Sequence, residues 1–224
     1  MRENRISRDS YLEPEEVRAL INSVRLVSKQ VARDTLVAET MWQTGCRLIE
    51  ALTLVPEHIG FDSLILQNKK QIKRVKKAGG KTGYEADPAA IKEVQVSTRL
   101  CEQLKDFCKD NDRKEGEWVF FGNWNKSKHL CPRYVHRMMG AASAEAGIFR
   151  FGKRNVRTGG RYKGAWPHII RHSTAMYLLA MTGDYRLIQR QLGHSNIQST
   201  MIYMETTKRA ARKKISEIDW EVKE

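Results

Sequence analysis

The chain has no run of apolar residues near the roughly 20 that a membrane span needs. Its opening, MRENRISRDSYLEPEE, is polar and mixed in charge, with neither the apolar core of a signal peptide nor a transit-peptide pattern. Both features predict a cytoplasmic protein without a membrane partner. Cysteine is sparse: Cys46, Cys101, Cys108 and Cys131 form no CxxC pair and no metal-ligand spacing. They read as free thiols in a reducing compartment. There is no cluster of carboxylates to hold a divalent metal, no internal repeat and no low-complexity segment. No long linker divides the chain, which argues against widely separated domains. With 224 residues, 41% of them hydrophobic, the chain suits one large domain or two small ones around a real core.

What the sequence has in excess is positive charge. Lys and Arg number 40 against 26 Asp and Glu, a net +14 with a pI near 9.8. Such an excess calls for a polyanionic partner, with nucleic acid the first candidate. The charge is not evenly spread. Seven Lys and Arg fall between Lys69 and Lys81 without an acid, and six more between Arg150 and Lys163. Stretches of this kind are often merely solvated, but beside DNA they are where phosphate contacts belong. Lys70, Lys73, Arg74, Lys76, Lys77, Lys81, Arg154, Arg157 and Arg161 are the candidates for those contacts.

Helical signals dominate the rest. Residues 1–10 read as a leader. Pro14 followed by Glu15 and Glu16 opens a helix whose apolar stripe is Val17, Leu20, Ile21 and Val24. A second helix from about Arg33 to Thr44 closes at Gly45. Arg47 and Glu50 follow at i and i+3, with Leu48, Ala51 and Leu52 facing the core. Taken alone, that pair reads as a surface ion pair. Phe61 to Gln67 and Ile91 to Val96 read as two strands of a hairpin or small sheet. Between them lies an unusually long basic connection that Gly79, Gly80 and Gly83 make partly flexible. Ser97 caps a helix carrying Leu100, Leu104, Phe107 and Cys108, and Pro132 starts another with Val135, Met138, Met139 and Ala142 inward.

The stretch from Pro167 to Tyr203 carries the chemistry. Pro167 suits a first helical turn. His168, Arg171 and His172 then share one face at i, i+3 and i+4. Gly183 stops that helix, Asp184 caps the next, with Leu187, Ile188 and Leu192, and Gly193 delivers His194 at a loop. Tyr203 comes nine residues later. An arginine to grip a phosphate, histidines to move protons and a tyrosine to attack are the parts of a phosphodiester-cleaving site that needs no metal. HIIRH also has the spacing of a two-histidine zinc motif, but it lacks the glutamate after the first His, and Arg171 would repel a cation.

Three phrases, in order, resemble the boxes of the tyrosine recombinases, the phage integrase family: TGCRLIE the first, HIIRHS the second and LGHSNIQSTMIY the third. The resemblance runs from about Tyr11 to Met204. It implies a mainly α-helical catalytic domain with a small antiparallel sheet over residues 11–206, and a helical tail, 207–224, exchanged between protomers. By the same resemblance Tyr203 attacks the scissile phosphate to give a 3′-phosphotyrosine and a free 5′ hydroxyl. Arg47 and Arg171 clamp the non-bridging oxygens, His168 is the general base, His194 a further donor, and Glu50 and His172 support them. The family places a lysine general acid on a β-hairpin; Lys69 stands at a family-like distance from Arg47, with Lys70 and Lys81 as alternatives. No cofactor is implied, since covalent capture conserves the phosphodiester energy and the arginines do a divalent ion's work. The implied partners are double-stranded DNA, a homo-tetramer on synapsed sites and accessory DNA-bending proteins, in the nucleoid-associated cytoplasm. Only about ten residues precede the catalytic region, so the chain is either a fragment or similar to short single-domain members such as the fimbrial-switch invertases. The rivals are a non-cutting DNA-binding regulator on the same fold, a type IB topoisomerase-like enzyme and an RNA-binding protein.

Overall fold

In a computed structural model, residues 11–67, 91–148 and 167–193 are described in full, together with the backbone of two strands at 72–76 and 82–86. Helices form most of it: α1 (Pro14–Val27), α2 (Val31–Thr44), the short α3 (Leu48–Leu52), α4 (Thr98–Asp110), α5 (Pro132–Glu145), α6 (Pro167–Thr182) and α7 (Tyr185–Leu192). The four strands are β1 (Ser63–Gln67), β2 (Ile72–Lys76), β3 (Thr82–Ala86) and β4 (Ile91–Gln95). This is the mainly α domain with a small antiparallel sheet that the sequence predicts.

The helices start and stop for local reasons. Pro14 and Pro132 occupy first turns. Ser97 accepts from the Leu100 amide at the start of α4, and Asp184 accepts from the amides of Arg186 and Leu187 at the start of α7. Gly45, Gly183 and Gly193 each turn with φ near +60°, where a Cβ would be strained. α2 sits at the centre and packs against α1, α4 and α6, while α1 also packs on α5. The core between them includes Leu20, Val24, Val37, Met41, Leu52, Leu64, Leu104, Phe120, Met139, Ile169 and Ile170, all buried. Each such side chain contributes about 1.5–3 kcal/mol on leaving water. A smaller cluster of Ala175, Leu179, Ile188 and Leu192 glues α7 to α6. Of the apolar residues on α7, Leu187 stands 41% exposed, because the face that α7 shares with α6 is filled by Ile188 and Leu192.

The connection between the two expected strands is not simply a flexible loop. β1 pairs antiparallel with β4, Ser63 with Gln95 through Gln67 with Ile91. Inside that pair, β2 pairs antiparallel with β3, Ile72 with Ala86 through Lys76 with Thr82. Gly83, expected in the flexible part, is a ladder residue opposite Val75. In both ladders the numbers of every paired couple add to 158, so the inner hairpin continues the register of the outer one.

Candidate active site

The site is assembled at the C-terminal ends of α2 and α7, where the start of α3, the N-terminal half of α6 and strand β4 meet. Glu50 lies in the first turn of α3 and is 1% exposed. A buried carboxylate is costly unless it is paired, and here both of its oxygens are. Oε1 accepts from Arg47 Nη1 at 2.8 Å, and Oε2 accepts from the Arg47 backbone amide at 3.0 Å. Lys92 Nζ stands 3.2 Å from the same Oε2. Burial alone would raise the Glu50 carboxyl; the Lys92 charge and the Arg47 hydrogen bonds outweigh it and hold the carboxyl below its ordinary value. The Arg47–Glu50 pair is therefore no surface ion pair. Its acid is enclosed, while the arginine side chain keeps 30% of its surface open.

Arg171, on α6, is 6% exposed. Its guanidinium donates to the Gly45 carbonyl at 2.6 Å and to the Leu192 carbonyl at 3.0 Å. The first contact joins two segments 126 residues apart, because Gly45 stands two positions before Arg47. The second satisfies a carbonyl at the end of α7, where unpaired acceptors and the helix dipole favour a cation. α6 is fixed against α2 by Thr174 Oγ1, which donates to the Trp42 carbonyl at 2.7 Å. α7 is fixed by Gln191 Nε2, which donates to the carbonyls of Gln43 and Gln95. Close approach at Gly45 is part of the design: a Cβ there would come within 2.4 Å of Leu192 Cδ2.

His168 is exposed on the first turn of α6, and His172 lies one turn on, partly covered. Burial, with the His168 and Arg171 charges added, pushes the His172 imidazole down to about 4. It is neutral at physiological pH. Arg47, Lys92 and Arg171 thus gather around the single carboxylate Glu50. Cys46 is buried beside them, and burial pushes its thiol up despite the nearby Lys92 and Arg171. The four cysteines are unpaired. Among the described residues no group of three His, Cys, Asp or Glu is placed to hold a metal ion, and no described helix is long and apolar enough to cross a membrane.

Of the residues singled out in the sequence, Arg171 is tied beside Arg47 and Glu50 through the Gly45 carbonyl, and His168 and His172 lie next to Arg171 on α6. Lys73, Arg74 and Lys76 lie on β2. Lys69, Lys70, Lys77, Lys81, Arg154, Arg157, Arg161, His194 and Tyr203 lie outside the described residues. Lys92 was missed. In IKEVQV, Ile91 suggests one phase and Val94 and Val96 the other; the burial of Val94 settles the phase in the fold, and Lys92 shares its parity, so a lysine occupies an inward position. Ile91 is correspondingly outside, 47% exposed.

A helical domain whose short antiparallel ribbon and helix ends gather two arginines is the class of structure described. The profile of the phage integrase family matches residues 10–210, and the chain belongs to that family. It is 27% identical over 197 residues to tyrosine recombinase XerA of Pyrococcus furiosus, covering 88% of this chain and 57% of that protein. It is 26% identical over 185 residues to tyrosine recombinase XerC of Chromobacterium violaceum, covering 83% and 52%. The chain thus spans about half the length of the curated relatives it matches. In fold it resembles the XerH site-specific recombinase in a pre-cleavage complex with its difH substrate, with a TM-score of 0.65 at 20% identity over 92% of this chain and 52% of that one. It also resembles the catalytic domain of bacteriophage HP1 integrase, with a TM-score of 0.56 at 19% identity over 87% and 86%.

Proposed function

We propose that this chain is the catalytic domain of a site-specific DNA recombinase that cleaves and rejoins strands through a covalent 3′-phosphotyrosine. The observation that carries the reading is the bond from Arg171 to the Gly45 carbonyl, which brings the arginines of two distant boxes to one positively charged site. A phosphodiester gains charge on its non-bridging oxygens in the pentavalent transition state, and preformed guanidinium donors stabilise that charge most when water is excluded.

The Tyr203 hydroxyl oxygen attacks phosphorus while His168 accepts its proton. The bond to the 5′ oxygen breaks, and a lysine supplies that oxygen with a proton; Lys69 is the first choice, with Lys70 and Lys81 behind it. Arg47, Arg171 and His194 hold the non-bridging oxygens. A 5′ hydroxyl from another strand then attacks the phosphotyrosine and reverses each transfer, so no outside energy source is required. The partners that fit this chemistry are double-stranded DNA, three further protomers on paired sites through the tail at 207–224, and accessory DNA-bending proteins. Integration, excision, inversion and resolution share these steps and differ in where the DNA sites lie.

The test is a protein–DNA adduct. The chain is incubated with labelled duplex from the ends of its own genetic element and quenched with detergent, beside Tyr203→Phe. An adduct lost in the variant, with DNA binding kept, is the expected result. An adduct that persists in Tyr203→Phe would place the nucleophile elsewhere. Tight binding with no adduct from either protein would favour a non-cutting regulator on this fold.

A further inference from the structure

Lys92 belongs to none of the three boxes, yet its ammonium stands at the centre of the described site. We propose that Lys92 is a positioning residue of strand transfer, tying the carboxylate that holds Arg47 to the end of the helix that leads into His194. The inference rests on the recombinase reading above.

The geometry is a closed ring. Arg47 donates to Glu50, and Glu50 pairs with Lys92 at 3.2 Å. Lys92 Nζ donates to the Leu192 carbonyl at 3.1 Å. The same carbonyl accepts from Arg171, and Arg171 donates to Gly45, two residues before Arg47. Every link joins groups that are at least two-thirds enclosed, so each is worth more than an exposed pair. The stem of Lys92 is held as well as its head. A Cβ at Gly193 would lie 2.7 Å from Lys92 Cδ, so the turn that releases the chain toward His194 rests directly on the lysine. Gly193 is required there both by its φ of 65° and by that approach.

Two other roles fit less well. An inward lysine on a sheet edge can simply guard against edge-to-edge pairing, but such a guard has no reason to bind the acid that holds an arginine. A general acid must face the leaving oxygen, whereas the Lys92 side chain is 14% exposed and two of its three N–H groups point at Glu50 and Leu192. The proton donor belongs elsewhere on the ribbon, and Lys92 keeps the arginines and the α7 end in register. Small displacements are enough to matter: a 1 Å misplacement of a catalytic group can cost on the order of 100-fold in rate.

The test compares Lys92→Met and Lys92→Arg with the wild type on two duplexes, one with an ordinary 5′ oxygen at the scissile position and one with sulfur in its place. A sulfur leaving group needs no proton. Lys92→Met is expected to form adduct on the order of 100-fold more slowly on both duplexes, with DNA affinity unchanged, and Lys92→Arg is expected to recover much of the rate. If sulfur alone restores Lys92→Met, the lysine is the proton donor and the positioning role is wrong. Wild-type rates in Lys92→Met also overturn it. Should Lys92→Met not fold, Lys92→Gln, uncharged and too short to span both Glu50 and the Leu192 carbonyl, takes its place. Amide exchange on the free chain supplies a readout that needs no cleavage: exchange over residues 189–193 should rise in the variant, and unchanged exchange there overturns the tie. If the wild type forms no adduct at all, the recombinase reading fails, and amide exchange decides by itself whether Lys92 holds the end of α7.

Discussion

His172 shows how one residue reports on its surroundings. Its ordinary value is 6.5 and its value in the fold is about 4. Between those limits the unfolded chain takes up a proton that the folded chain refuses, so stability is complete above pH 6.5 and falls as the pH drops toward 4. The expected loss between pH 7 and pH 5 is about 2 kcal/mol. Urea denaturation at the two pH values measures it, and His172→Gln should flatten the difference; an equal fall in the variant would assign it to other groups. Lys92 marks the limit of what one sequence reveals at this scale. The catalytic candidates were legible because three short phrases carry a family pattern. Lys92 was not, because Ile91 suggests the opposite phase for the strand, and only pairing with Leu66 and burial of Val94 fix which parity faces in.

At the scale of elements, helix ends were the most legible feature. Proline at first turns, serine and aspartate at caps, and glycine at stops each act through a local steric or hydrogen-bonding rule that needs no tertiary context. Gly45 does more than stop α2, since Leu192 packs where its side chain would be. Gly45→Ala is expected to cost roughly 1–2 kcal/mol for the left-handed turn alone, with the contact to Leu192 adding to it. For a chain of this size each kcal/mol lowers the melting temperature by about 2–4 °C. A melting curve checks this, and an unshifted midpoint would mean that the turn and α7 relax together at no cost. The inner hairpin was the element the sequence concealed. Lysines and glycines are poor strand formers, and the pairing of β2 with β3 overrides that local preference.

For the molecule as a whole, charge is the property most plainly written in composition. Neutralising Lys69, Lys70, Lys73, Arg74, Lys76 and Lys77 together should weaken DNA binding and flatten its dependence on salt. Each lost phosphate contact removes about 0.9 from the slope of log affinity against log salt, so the slope should fall by up to about 5. A titration series at several salt concentrations measures this, and an unchanged slope would mean that these charges face only water. The shared register of the two ladders has a further consequence for how such a domain can vary. Because paired residues keep one constant sum in both ladders, Ser63–Gln67 with Ile91–Gln95 and Ile72–Lys76 with Thr82–Ala86, residues added or removed in equal number on both arms preserve that sum and leave the base undisturbed. An unmatched change of one residue within a strand shifts its pairing by one. Such a shift turns one arm over, and Lys92 leaves the site for solvent. Reach is thus a dimension that can drift in matched steps, while the parity of the arms is held at their root by buried Leu64, Leu66 and Val94 together with Lys92.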